Sequence, residues 1–221
     1  MKTYAQLCGV AKALDVVGGR WTLLIVRNLL VGAQRYKDLL DTLPGITTNL
    51  LAERLQGMQE AGLIETRRVS APSPATVYEL TSRGLELEPV VLALGRFGAP
   101  YLATPKRGDR RHVRWAMVSL KRRFVPEQLE RPVRLQFAIG PVHRYSVRAD
   151  ARSVRIQEGE IEAPQARVVA NEPAFMSLLF GGATLHELRV AEELSVTGDT
   201  SALTAFLAAV PGVRICSDES G

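Results

Sequence analysis

Between Thr47 and Gly84 the chain reads TTNLLAERLQGMQEAGLIETRRVSAPSPATVYELTSRG, and no other stretch limits its folding choices as tightly. Leu50, Leu51, Leu55 and Met58 form one apolar stripe at the period of an α-helix. Thr47, Thr48, Asn49, Glu53, Arg54 and Gln56 fall largely off that stripe. Thr47 or Thr48 can cap the helix, and Gly62 stands where a left-handed residue is expected just past its end. Beyond it, Leu63-Ile64-Glu65-Thr66-Arg67 and Thr76-Val77-Tyr78-Glu79-Leu80 have the composition of strands. The loop between them carries Pro72 and Pro74, which suits an exposed hairpin tip.

A helix followed by a two-stranded ribbon with Arg67 and Arg68 near its tip is the layout of a winged helix-turn-helix. In such a layout the helix can enter the major groove of DNA while the ribbon rides the flanking backbone. Upstream, the sequence predicts helices over residues 5–17, 21–31 and 35–42. The first has Leu7, Val10, Ala11, Leu14 and Val17 on one side, and the second is so evenly apolar that it reads as a core element. A long helix is expected from Leu85 to Tyr101, with Pro89 tolerated near its first turn.

Thr104-Pro105-Lys106-Arg107-Gly108-Asp109 reads as a linker, dividing the 221 residues into expected domains at 1–104 and 105–221. After it, Val113, Ala116, Met117, Leu120 and Phe124 predict a helix with Arg110, Arg111, Arg114, Lys121 and Arg122 outward. The pattern then changes to period two over 133–139, 145–148 and 154–156, with further strands expected at 166–170 and 194–197. Helices are expected at 173–180 and 200–210. The second half therefore reads as an α+β domain.

Charge is uneven. Residues 106–125 hold eight basic side chains against one acidic, whereas 126–221 hold nine against thirteen. Such a distribution has the basic first half facing a polyanion. The two cysteines, Cys8 and Cys216, lie at opposite ends, which excludes a disulfide framework and a zinc site of Cys/His spacing. No apolar run reaches membrane-spanning length and MKTYAQLCGVAK lacks a signal-peptide core, so a cytoplasmic protein without membrane partners is expected. His112, His143 and His186 are scattered and Gly181-Gly182 is a turn, so neither catalysis nor a cofactor is expected.

Several motifs occur together in the first half. They are Cys8 and Val10; Leu14 with Gly18-Gly19-Arg20-Trp21-Thr22; Leu29-Leu30-Val31-Gly32; Arg35-Tyr36-Lys37-Asp38-Leu39; Leu51-Ala52-Glu53-Arg54-Leu55; Gly62-Leu63-Ile64; and Tyr78-Glu79-Leu80-Thr81-Ser82-Arg83-Gly84. With them, roughly residues 5–100 resemble the HxlR family of bacterial winged-helix regulators, with Tyr36 where Phe is usual and Phe97 where Trp is usual. The second half resembles sterol-carrier-protein-like domains through Pro173-Ala174-Phe175, Leu178-Leu179-Phe180-Gly181-Gly182, Val196-Thr197-Gly198-Asp199 and Ala202-Leu203.

These resemblances imply a homodimeric transcriptional regulator on a palindromic operator in double-stranded DNA. Dimer contacts would come from the first helix and the Leu85–Tyr101 helix. Thr47, Thr48 and Asn49 are candidates for reading bases, or Thr47 and Thr48 only cap the helix. Arg35, Lys37, Arg67 and Arg68 are phosphate candidates. Arg54 either joins them or holds the domain together through an internal carboxylate. Cys8 stands where some relatives sense oxidants or electrophiles, with Lys12 one turn on as a neighbouring charge; the other reading is a small residue buried at the dimer seam. Phe175, Leu178, Leu179, Leu203, Phe206 and Leu207 would line a cavity for a small apolar ligand, or are simply core. The alternative function is a lipid or small-ligand carrier whose first half is a protein-interaction module.

Overall fold

The computed structural model describes residues 3–70 and 74–216 and divides the chain into two compact units, Met1–Thr104 and Pro105–Gly221. The hairpin tip with Pro72 lies outside the described residues. Each unit has its own core, and together they make a mixed α+β protein.

The first unit begins with α1 (Gly9–Val17) and α2 (Thr22–Leu29). Expected from residue 5, α1 starts later, because Cys8 is extended at φ −140° and serves as its N-cap. Ala11 and Val17 face inward, while Leu7, Val10 and Leu14, on the same expected side, are exposed. The second helix buries Ile25, Val26 and Leu29 but leaves Leu24 exposed, so it is less uniformly interior than its composition suggests. Trp21 precedes it in the left-handed region at φ +82°, an uncommon position for a bulky side chain, with the Arg20 guanidinium 5.1 Å from its ring. Buried Asn28 donates to Thr42 Oγ1 at 2.8 Å and accepts from Arg27, whose pKa burial pushes down to about 10.

Residues 35–42, expected as one helix, split instead. Gln34–Arg35 form β1, and α3 follows at Tyr36–Asp41, with Asp38 Oδ2 accepting from the Arg35 amide. Gln34 pairs with Tyr78 and Arg35 with Val77, which adds a third strand to the ribbon of β2 (Ile64–Val69) and β3 (Ala75–Leu80) in the order β1-β3-β2. Ahead of the ribbon, α4 (Thr48–Glu60) has Thr47 as N-cap, its hydroxyl accepting from Leu50 N, and buries Leu51, Leu55 and Met58. Gly62 adopts φ +69°, where a side chain would be strained.

The expected long helix after the ribbon is broken into α5 (Ser82–Leu85), α6 (Glu88–Gly98) and a 3₁₀ turn, Ala99–Ala103. Pro89 lies within the first turn of α6, where its missing N–H costs no helix bond.

The second unit opens with α7 (Val113–Arg123). It continues through β4 (Val133–Ile139), β5 (His143–Ala149), β6 (Val154–Glu158) and β7 (Ala166–Ala170). Then come α8 (Glu172–Leu179), α9 (Leu185–Val190), β8 (Leu194–Gly198) and α10 (Thr200–Ala208). The five strands are ordered β6-β5-β4-β7-β8, antiparallel except for the β4–β7 pair. The chain thus lays down a meander and returns to the free side of β4. Phe137, Tyr145, Phe175 and Phe206 are the largest side chains of this core.

Three expectations fail here for physical reasons. Arg114, expected outward on α7, is 2% exposed because Glu158 on β6 accepts from it and compensates the buried charge. Gln136 breaks the polar-out alternation of β4: it is fully buried, donating to Tyr145 O and accepting from Ile161 N at 2.8 Å. Helix α9 was not expected, although Thr184 and Glu187 form a capping box at its start.

In the first unit, Gly84 N donates to Thr81 Oγ1 at 3.1 Å, and a Cβ at Gly84 would overlap the carbonyl of Leu63. Gly84→Ala is therefore expected to destabilise the protein by about 1–3 kcal/mol, read as a lower urea midpoint by circular dichroism. An unchanged midpoint would show that this corner yields freely.

Candidate nucleic-acid interface

Thr47, Thr48 and Asn49 are all exposed at the start of α4. The Thr47 hydroxyl is occupied with capping, whereas Thr48 and Asn49 lie in the first turn with side chains open to solvent. The Thr48 carbonyl accepts from the Tyr36 hydroxyl at 2.6 Å, fastening the start of α4 to α3. A phenylalanine at this position could not make that bond.

The expected phosphate residues differ in how available they are. Lys37, in the first turn of α3, and Arg68, opposite Thr76 on the ribbon, are exposed and have no carboxylate partner among the described residues. Arg67 is exposed too, but grips Glu79 across the ribbon with Nε 2.9 Å from Oε1 and Nη2 3.1 Å from Oε2, which raises its pKa. Arg35 is half-buried at the junction of β1 and α3. Arg54 turns inward. Its Nη1 would stand 3.2 Å from a Cβ at Gly19, its Nε is buried without a hydrogen-bond partner, and its one ion pair is with neighbouring Glu53 at 3.4 Å. So α3, the first turn of α4 and the ribbon carry Lys37, Thr48, Asn49 and Arg68 exposed and not engaged with other side chains. That combination suits base edges on the helix and phosphates beside it.

A profile of the HxlR-like helix-turn-helix family matches residues 16–106. The HTH-type transcriptional regulator sll1512 of Synechocystis sp. is 33% identical over 97 residues, covering 44% of this chain and 72% of that protein. YdeP of Bacillus subtilis, another HTH-type transcriptional regulator, is 31% identical over 94 residues, covering 42% and 73%. The chain belongs to the HxlR-like helix-turn-helix family. Among solved structures, the reduced form of the transcriptional regulator YodB from B. subtilis shares 27% identity over 47% of this chain and 100% of that one, at a TM-score of 0.38.

In this HxlR-like protein Cys8 is a free, exposed thiol at the N-cap of α1. Hydrogen bonds from the backbone amides of Ala11 and then Val10 lower its pKa. Lys12, expected to supply the charge, pairs with Asp15 at 3.7 Å, so the helix-end amides account for the shift. Among the described residues no cluster of His, Cys, Asp and Glu could hold a metal ion, and no helix is long and apolar enough to cross a membrane.

The six residues expected to line a ligand cavity in the second unit, Phe175, Leu178, Leu179, Leu203, Phe206 and Leu207, are each buried to within 1% of full burial. They interlock with the sheet and α7: Phe175 meets Phe137 at 6.0 Å between centroids, and Phe206 stacks on Phe124 at 5.7 Å.

A polar cluster at the N-terminus of α7 went unnoticed in the sequence because its members are far apart in the chain. His112 Nδ1 accepts from Arg114 N at 3.1 Å, its ring meets His143 edge-on at 5.4 Å, and His143 Nε2 lies 3.6 Å from Glu172. Burial lowers the His143 pKa, with Glu172 and Glu158 opposing and Arg114 and Arg144 adding to the depression. The Tyr145 hydroxyl is buried without a hydrogen-bond partner, and burial raises its pKa.

A histidine whose folded pKa lies below its unfolded value of about 6.5 leaves the native state binding fewer protons. Stability from this site is then full above that pH and is lost as pH falls through it. Urea midpoints of the full chain should fall between pH 7.5 and 5, and His143→Gln should flatten part of the fall. An identical pH profile in the variant would remove His143 as a cause.

Proposed function

We propose that this HxlR-like protein is a transcriptional regulator that binds a palindromic operator as a homodimer. The observation that carries the reading is the exposed first turn of α4 with Thr48 and Asn49, in a unit whose α3 and ribbon carry the exposed cations Lys37 and Arg68 with no carboxylate partner among the described residues. Asn49 can pair bidentately with adenine, and the two cations fit phosphates on either side. Thr47 serves mainly to cap the helix, Arg67 to stiffen the wing through Glu79, and Arg54 to brace α4 against Gly19. Arg35 acts as a phosphate contact near the junction of β1 and α3.

Fluorescence anisotropy with DNA from the region upstream of the chain's own gene tests this. Asn49→Ala should cost about 1–3 kcal/mol on the preferred site and far less on random DNA. Lys37→Ala with Arg68→Ala should weaken binding to both, with the salt slope falling by about two. A wild-type protein that shows no preference over random DNA overturns the reading.

The second copy is proposed to cover apolar side chains left in solvent by α1 with the residues before it and by α6 with the 3₁₀ turn after it. These are Leu7, Val10 and Leu14 on one side, and Leu94, Phe97 and Tyr101 on the other. Phe97 is 73% exposed, an unfavourable state for so large an apolar ring unless something covers it. A two-fold axis through these faces would set the two α4 helices about 34 Å apart, in successive major grooves. Leu94→Glu with Phe97→Glu should convert a dimer to a monomer by analytical ultracentrifugation; a variant that stays dimeric places the seam elsewhere. Cys8, with its lowered thiol beside the same face, is the point at which an oxidant or electrophile would reach the seam.

The second unit is read as sterol-carrier-like and as the receiver of a small ligand. A ligand there can act on DNA binding only by preferring one arrangement of the dimer over another.

A further inference from the structure

Along α8 the second unit has an open pocket of about 570 Å³, with Arg111, Pro173, Met176, Ser177 and Phe180 on its lining. Pro173, Met176 and Phe180 present apolar and aromatic surface, while Arg111 and Ser177 present donors. Arg111 is exposed, stands 5.9 Å from the Phe180 ring centroid and forms no ion pair among the described residues. The guanidinium of Arg123, at the end of α7, lies 5.8 Å from the same centroid. Its Nη1 donates to the carbonyl of Pro211 at 3.3 Å, but Nε and Nη2 are buried with no hydrogen-bond partner among the described residues. Burial, and then the neighbouring charge of Arg122, lowers its pKa.

Buried guanidinium nitrogens without an acceptor are costly, and the planar fork of donors to which they belong matches an oxyanion. Glu172 also lines the pocket, with its carboxylate turned to the His143 ring at 3.6 Å. Phe180 is exposed despite its size and is bracketed in distance by both arginines.

We infer that this pocket binds a small organic anion, with an oxyanion head taken by Arg111 and Arg123 and an apolar body laid on Phe180 and Met176. The inference rests on the ligand-receiving role proposed for this unit and locates the ligand along α8 instead of among the six core side chains. Carboxylates and phosphate monoesters share the required chemistry.

Isothermal titration of the full-length protein with octanoate, octyl phosphate, octan-1-ol and inorganic phosphate tests it. Saturable binding of octanoate or octyl phosphate is expected, about tenfold or more tighter than octan-1-ol or free phosphate. Whichever of the two anions binds tighter identifies the head group. Arg111→Gln, an exposed substitution that leaves the core untouched, should weaken the anion severalfold and leave octan-1-ol unchanged. Arg123→Gln should do the same, with its unfolding midpoint reported alongside. Octan-1-ol binding as tightly as octanoate, anion binding indifferent to Arg111→Gln, or no binding of either anion overturns the site. DNA affinity with and without the bound anion reads the regulatory proposal separately: an anion that binds and leaves DNA affinity unchanged keeps the site and sinks the switch.

Discussion

Thr81 ties the end of α4 to the far end of the ribbon. Its amide donates to Leu63 O, its hydroxyl donates to Gly62 O at 2.6 Å, and the same oxygen accepts from Gly84 N at 3.1 Å. Gly62 follows the end of α4 and Gly84 lies within α5, so one residue links the end of α4, the end of the ribbon and α5. Because the bonds are short-range in space and lie among buried neighbours such as Leu63 and Ile64, the corner is stiffer than a loop would be. On the proposed reading, a groove-reading helix needs a fixed relation to the element that grips the backbone, and this corner would supply it.

Much of this was legible in the sequence because it is local. The stripe of Leu51, Leu55 and Met58, the Thr47 cap and the Gly62 terminator are set by spacing within one helix, and α4 has the bounds they imply. The strands of the second unit likewise follow their alternation. What stayed hidden depends on partners far along the chain. Strand β1 is two residues long and exists only because Tyr78 and Val77 offer a free edge. Arg114 has the position of an outward residue on α7, yet Glu158 draws it inside. Gln136 is buried because its amide joins Tyr145 and Ile161, three segments that no window on the sequence contains. The break between α5 and α6 shows the same limit, since apolar spacing across Leu85–Tyr101 cannot reveal that the helix restarts at Glu88.

The candidate interface was legible by position and less so by role. Three arginines of similar prospect in the sequence, Arg54, Arg67 and Arg68, have three different fates. One packs against backbone at Gly19, one holds a carboxylate bidentately, and one stands free. The difference lies in the nearest acceptor, which sequence spacing does not give. An arginine already paired with Glu79 must exchange that carboxylate for a phosphate before it can add to DNA affinity, so its net gain is small. Arg68 and Lys37 need no such exchange, and on the proposed reading they would hold the larger electrostatic share.

The same reasoning separates the two units. Net charge does not divide the units, since residues 1–104 carry 11 basic against 9 acidic side chains and 105–221 carry 17 against 14; the contrast is where each unit keeps its cations. The first leaves Lys37 and Arg68 in solvent, where a long-range field can act on a polyanion at a distance and salt can screen it. The second draws Arg114 and much of Arg123 out of water, where charge acts only at contact and only on a partner that fits. Arg114 has found a carboxylate in Glu158, whereas Nε and Nη2 of Arg123 have no acceptor among the described residues. A unit that holds buried guanidinium nitrogens without an acceptor among the described residues, against an exposed aromatic ring, offers recognition at contact and not a long-range field. It is well suited to a small anion with an apolar body, since such a ligand can enter the pocket individually and bring the missing acceptor with it.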